Sequence, residues 1–317
     1  MAGKVSEQPL VSVVIPAHQT QGVERGLLRA DPSAGDASAG DRSAGTEAMR
    51  RNAPAGVAGT ALARLAGSVH GVRTHDPVFA LTFDDGPHRL NTPRILTILA
   101  DRGARATFFV IVRNAIGLPG VVADIVAAGH EVALHGQDHV DLTRCSPRAA
   151  AAMIRGARDR LEQLIGRRVR YFRPPYGTQS LVSYIIARGS GMEVVGWSSS
   201  PRDFLDLDLD RHVVVAFEEL EPGGIMLVHD GAPSAPGRRG WLLGRLLEEA
   251  GRGGWTALTV GALLQQGEPV RRLWFQRRAE AVLGELAPLY LAEEPTSDVA
   301  ASQNLTSQGR CGGPATA

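Results

Sequence analysis

The sequence predicts an α/β fold, a distorted (β/α) barrel of seven βα units, and three observations carry that reading. Strand-like apolar runs alternate with helix-like segments from residue 77 to residue 265. The runs lack clean polar alternation, as expected of strands buried on both faces. Short polar clusters follow five of the runs directly, at Asp84-Asp85, His135/His139, Arg173–Tyr176, Ser198–Phe204 and His229-Asp230. A barrel gathers the C-terminal ends of its parallel strands around one mouth, so clusters placed this way would meet in one pocket. A doubly wound open sheet is the competing topology.

In chain order the strand-like runs are Val78–Phe83, Ala106–Val112, Glu131–Leu134, Val169–Phe172, Glu193–Trp197, Ile225–Val228 and Thr256–Val260. The helix-like segments between them are Thr92–Arg102, Leu118–Ala128, Pro147–Ile165, Ser180–Gly189, Asp210–Glu219 and Leu242–Ala250. Residues 1–30 form a short accessory segment with one strand-like stretch. Residues 31–76 read as a flexible linker, opening with a thrice-repeated pentapeptide of the form Asp-x-Ser-Ala-Gly. Small polar residues at that density cannot offset the entropy of ordering. Residues 266–294 read as a C-terminal helix and 295–317 as a disordered tail. In that helix Arg271, Arg272, Arg277 and Arg278 read as a solvated basic face rather than an anion-binding surface.

Composition narrows the function. At 317 residues and 44% hydrophobic the chain can bury a large core, and a net charge of +1 gives no argument for a nucleic-acid partner. Two cysteines, Cys145 and Cys311, are too few for a thiol-ligated zinc site, and no structural disulfide is expected between them. The longest N-terminal apolar run, Leu10–Ala17, contains Pro16 and falls far short of the roughly 20 residues of a membrane span. With a thinly basic leader and no clear cleavage site, a cytoplasmic location is expected.

The clusters suit metal-assisted hydrolysis. His135 and His139 stand four residues apart, and one helical turn would put both imidazoles on one face. A carboxylate from another strand end would complete a site with open positions for water and substrate. Asp84 and Asp85 offer that carboxylate, just before a turn enforced by Gly86-Pro87. Two such charges at the mouth of an apolar strand need a cation or donors nearby. Arg173 is either a surface ion-pair partner or a positioned guanidinium, with Pro174-Pro175 stiffening its loop. A histidine has an unperturbed pKa near working pH, so His229 suits proton donation, though a histidine capping a strand end would look the same. Trp197, Trp241 and Trp255 suit sugar stacking and core packing equally.

Together, Thr82–Pro87, His135-x-x-x-His139, Arg173–Gly177 and Leu227–Asp230 resemble the ordered motifs of polysaccharide deacetylases. These are the carbohydrate esterase family 4 enzymes with a NodB-type (chitooligosaccharide deacetylase) homology domain, and the resemblance covers residues 77–265. It implies a distorted barrel that removes an N-acetyl group from an N-acetylated carbohydrate substrate. One divalent metal is implied, zinc first, with cobalt, nickel or manganese as alternatives. Asp85, His135 and His139 would bind it. Asp84 would be the general base, oriented by Arg173, and His229 the general acid. The Tyr176 backbone N–H would serve the oxyanion, while Leu227, Pro175 and Phe204 would line the substrate pocket. The chain departs from the pattern twice. Ser200 stands where an acid often tunes the catalytic histidine, so either the pH optimum falls or Asp203 takes over that role. Gly136 replaces a hydroxyl residue after the first metal histidine. A non-carbohydrate amide or cyclic imide hydrolase, or a non-catalytic glycan binder, would share the scaffold. Separately, Val11–Ala17 resembles the opening strand of inverting family 2 glycosyltransferases, with no function attached to it.

Overall fold

A computed structural model describes residues 67–205, 207–231 and 238–273. The accessory segment, the linker up to residue 66, the anticipated C-terminal helix from residue 274 on and the tail lie outside them. All seven expected strands are present, as β2 (Val78–Asp84), β3 (Thr107–Val110), β4 (Glu131–Leu134), β5 (Tyr171–Phe172), β6 (Glu193–Val194), β7 (Gly224–His229) and β8 (Thr256–Leu258). Two more were not expected. Strand β1 (Ser68–Arg73) lies inside the anticipated linker, and β9 (Glu268–Arg272) opens the anticipated C-terminal helix. Neither has a continuous apolar run. They form by pairing antiparallel with each other, from Ser68↔Arg272 to Arg73↔Glu268.

The sheet runs β6-β5-β4-β3-β2-β7-β1-β9, with β8 also on β2. From β6 through β7 neighbouring strands are parallel. The chain beyond β6 then bridges to the far side, with Val195 opposite Val69 and Ser199 opposite Met226. That return curls the sheet into a barrel and rules out the open doubly wound alternative.

The helices are α1 (Asn91–Asp101), α2 (Val112–Gly117), α3 (Pro119–Ala127), α4 (Pro147–Ile165), α5 (Leu181–Gly189), α6 (Leu209–Glu219), α7 (Arg238–Arg252) and α8 (Val260–Leu263). Readable caps explain the sharpest of them. Ser146 Oγ accepts from Ala149 N at the start of α4, Pro147 fills its first turn, and Gly166 closes it at φ 68°. Among the described residues no helix is long and apolar enough to cross a membrane. Cys145 is disulfide-bonded rather than a free thiol, which corrects the sequence expectation.

Strand periodicity sorts the core into two layers and delivers the polar clusters. Phe79, Leu81, Phe83, Phe108, Val110, Leu134 and Phe172 belong to the larger layer, under the helices. Ala80, Phe109, Ala133, Tyr171, Val195 and Ile225 belong to the barrel interior. Side chains two residues apart share a face. Asp84 therefore follows Ala80 and Thr82 inward, His135 follows Ala133, Arg173 follows Tyr171, and His229 follows Ile225 and Leu227.

Candidate active site

Asp84 ends β2, and Asp85 follows in left-handed backbone at φ 74°. That reversal turns a carboxylate due to point away from the interior back toward the cleft. Asp85 Oδ1 lies 3.3 Å from His135 Nε2 and 3.2 Å from His139 Nε2. The ligand atoms of these three residues all lie within 4.8 Å of one another. The histidines are not on a helix, as their spacing suggested. They lie in the loop after β4, where Gly136 at φ 90° and His139 at φ 51° produce the convergence. The loop is tied down by Val112 N to Gly136 O and Arg113 N to Gln137 O, 3.0 and 3.1 Å.

A divalent cation fits here on the chemistry of the donors. Asp85 Oδ1 is buried without a hydrogen-bond donor, and two imidazole nitrogens and one carboxylate suit a first-row cation. His135 Nδ1 is 2.9 Å from the Arg173 carbonyl. That assigns its proton to Nδ1 and turns the Nε2 lone pair toward Asp85, the usual outer support of a metal-bound imidazole. Burial pulls His139 down to about 4, with the neighbouring His135 adding to it. Burial also acts against a proton on His135, but Asp84 and Asp85 outweigh it and raise its pKa. Asp85 is held well below the usual carboxylate range, since the two imidazoles outweigh its own burial.

Arg173 is no surface ion-pair residue. It is 0% exposed. Its guanidinium donates to Asp84 Oδ1 at 2.7 Å, Thr82 Oγ1 at 2.9 Å, Val195 O at 3.2 Å and Gly196 O at 2.8 Å. Its Cζ also sits 4.1 Å from the centroid of the Phe109 ring. The resulting fork fixes Asp84 with its second oxygen, Oδ2, 3.7 Å from His135 Nε2.

His229 pairs in register with Asp84 across β2 and β7. Its Nδ1 is 2.7 Å from Asp203 Oδ1, and its backbone N donates to Asp203 Oδ2 at 3.0 Å. Burial lowers its pKa, but the Asp203 charge and hydrogen bond, with Asp85 and Asp84 beyond, raise it to about 9. Ser200 does not reach His229. It is occupied in its own turn, accepting from Arg202 N at 3.1 Å. Asp203 thus fills the role that the sequence left between them.

Phe204 is 44% exposed and stands edge-on to His229, ring centroids 6.1 Å apart. Tyr176, at φ 60°, lays its ring 4.2 Å from that of His139. Pro175 and Leu227 are buried. Of the tryptophans, Trp255 packs on Phe79, Trp197 lies near Arg173, and Trp241 is exposed.

The polysaccharide deacetylase family model matches residues 71–195. The chitooligosaccharide deacetylase of Sinorhizobium fredii is 37% identical over 161 residues, covering 50% of this chain and 75% of its own. The chain belongs to the polysaccharide deacetylase family. Among solved structures, the peptidoglycan deacetylase PdaC of Bacillus subtilis aligns with a TM-score of 0.55 at 28% identity, covering 62% of this chain and 93% of its own. A CE4 family pseudoenzyme from Bacillus anthracis shares the fold at a TM-score of 0.59 and 20% identity, covering 67% and 74%. Within polysaccharide deacetylases, then, the fold does not decide activity and the side chains must.

Gly136, the second departure from the family pattern, has a backbone reason. At φ 90° a side chain would be strained, and a Cβ would sit 3.3 Å from Pro175 Cγ. Four residues near the site went unassigned from sequence. They are Thr82, which holds Arg173; Asn114, which donates to Asp85 O at 3.0 Å; Asp230; and Arg239. Asp230 had a signal, its place beside His229. The others depend on contacts between distant segments.

Proposed function

We propose that this chain is a metal-dependent carbohydrate N-deacetylase, hydrolysing the amide of an N-acetylated sugar to acetate and a free amine. The observation that carries the reading is the convergence of Asp85, His135 and His139 within 4.8 Å, beside an Asp84 gripped by buried Arg173. The pseudoenzyme alternative is disfavoured because base, acid and candidate ligands are all present and mutually oriented. Family membership and the chitooligosaccharide relative favour a glycan over a small amide or imide.

A bound divalent cation supplies Lewis acidity, polarising the acetyl carbonyl and acidifying a water. Zinc suits a nitrogen-rich set with one carboxylate best. The chain's own groups do the rest. Asp84, with Oδ1 committed to Arg173, accepts the proton of the attacking water on Oδ2. The Tyr176 backbone N–H serves the oxygen on which charge develops. Asp203 occupies Nδ1 of His229, leaving Nε2 to donate a proton to the departing nitrogen as the C–N bond breaks. Leu227, Pro175 and Phe204 form the apolar wall for the acetyl methyl and sugar.

The test is acetate release from N-acetylglucosamine oligomers, with chelator and then with zinc, cobalt, nickel or manganese restored. Chelator-sensitive release supports the reading. Turnover confined to non-carbohydrate amides or imides replaces the substrate class, and binding without turnover of any substrate refutes it.

A further inference from the structure

Arg239, near the start of α7, reaches the acid half of the cleft. Its Nη1 donates to His229 O at 2.5 Å and lies 3.3 Å from Asp203 Oδ2. Its side chain is only 13% exposed and that of Asp203 2%. We propose that Arg239 is a positioning residue for proton donation: by holding His229 O and Asp203 Oδ2 together, it fixes the direction in which His229 Nε2 delivers its proton. The proposal rests on the deacetylase reading above.

The geometry explains why such a clamp is useful. Asp203 touches His229 with both oxygens, one on the ring and one on the backbone N–H. A carboxylate that swings about its Cβ–Cγ bond would lose both contacts at once. Arg239 pins the oxygen on the backbone side and, through the carbonyl of His229, the strand end itself. Because α7 carries it, the acid's aim depends on how that helix docks against α1, where Gly240 leaves only 3.0 Å between a would-be Cβ and Arg94 Nε. Arg239 also sets the charge balance. The groups acting on His229 are Asp203, with Asp84 and Asp85 from the end of β2 and His139 from the loop after β4. Arg239 offsets part of the Asp203 charge.

Two variants separate clamp from charge. Arg239→Gln loses both, and Arg239→Lys keeps the charge but, one atom shorter, withdraws the nitrogen that holds both oxygens. Each is assayed for kcat and KM on N-acetylglucosamine oligomers in zinc-restored protein, and the His229 ring is titrated by NMR in the same samples. In Arg239→Gln, kcat should fall about ten- to hundredfold with KM within about twofold. Its His229 midpoint should rise by about half a unit to one unit, as the offsetting cation is gone. Arg239→Lys should lose kcat with the midpoint at the wild-type value. Wild-type kcat in Arg239→Gln overturns the proposal. So does lost kcat with a midpoint unmoved or lowered, the result of a bare structural defect, or a Lys variant whose midpoint rises as far as that of Gln. If the wild type releases no acetate, the reaction assignment fails instead, and the midpoints still decide what Arg239 does to His229.

Discussion

On the β2 and β4 side of the cleft, Asp85 and His139 sit in left-handed backbone, and a buried carboxylate oxygen has no donor. On the β7 side, His229 and Asp203 meet through two hydrogen bonds, with Arg239 closing the set. The first half is incomplete as protein alone. Each non-glycine residue at positive φ costs roughly 1–2 kcal/mol, and two adjacent carboxylates repel. A cation would offset the repulsion and satisfy the orphaned oxygen. The second half needs nothing added. This contrast separates a binding site from a proton-handling device, and each can be broken without the other.

The largest effect should come from His135→Ala. It removes a ligand and the lone pair that Arg173 O orients. Metal content by elemental analysis should drop with acetate release, while the His229 NMR titration stays raised. Loss of both together would mean that the halves are not independent. Asp84→Asn comes next. Losing the proton acceptor should lower kcat by about 10²- to 10⁴-fold with metal retained. Near-wild-type kcat would reassign the base.

Asp203→Asn sharpens the other half. With the histidine at about 9 against an ordinary 6.5, the alkaline limb of the rate profile should lie near pH 9. Without the Asp203 charge it should move down toward neutrality, and kcat at pH 8 should fall. The same raised pKa stabilises the fold fully below pH 6.5 and is lost as pH rises through about 9, so urea midpoints of the wild type should decline over that window and those of Asp203→Asn should not. A limb that stays in place would show that Asp203 only positions the ring. Metal addition gives a smaller stability effect. A cation at a hundred times its Kd should add about 2.7 kcal/mol, read as a chelator-reversible rise in Tm.

The same contrast shows what sequence could reveal. The strands from β2 to β8 were legible because continuous apolar runs mark strands buried on both faces, and the clusters after five of those runs mark the mouth. Parity did the rest, sending Asp84, His135, Arg173 and His229 inward. Strands β1 and β9 were illegible, since His70, Gly71 and Pro269 break any run and pairing, of β9 with β1 and of β1 with both β9 and β7, makes them strands. The histidine pair had the right spacing for a helical reason that does not apply; the loop conformation at Gly136 and His139 brings the rings together. The choice between Ser200 and Asp203 needed a distance, and Arg239 needed the docking of a helix from elsewhere in the chain.

The smallest predicted effects compare the mouth with the outer helices. Gly156, in α4, has open space around a would-be Cβ. Gly156→Ala should therefore stabilise by roughly 0.5–1 kcal/mol through helix propensity and leave kcat alone. Gly86 is the opposite case. A Cβ there would lie 2.3 Å from both carboxylate oxygens of Asp230. Asp230 cannot step aside, because it is 1% exposed, accepts from Thr92 Oγ1 at 2.5 Å and donates its backbone N to Asp84 O at 3.1 Å. Gly86→Ala should cost about 1–3 kcal/mol in urea unfolding by overpacking. Because the displaced group is bonded to the backbone of the base, kcat should fall as well. An alanine that lowers stability but leaves kcat untouched would mean that the turn after β2 supports the fold without setting the aim of Asp84.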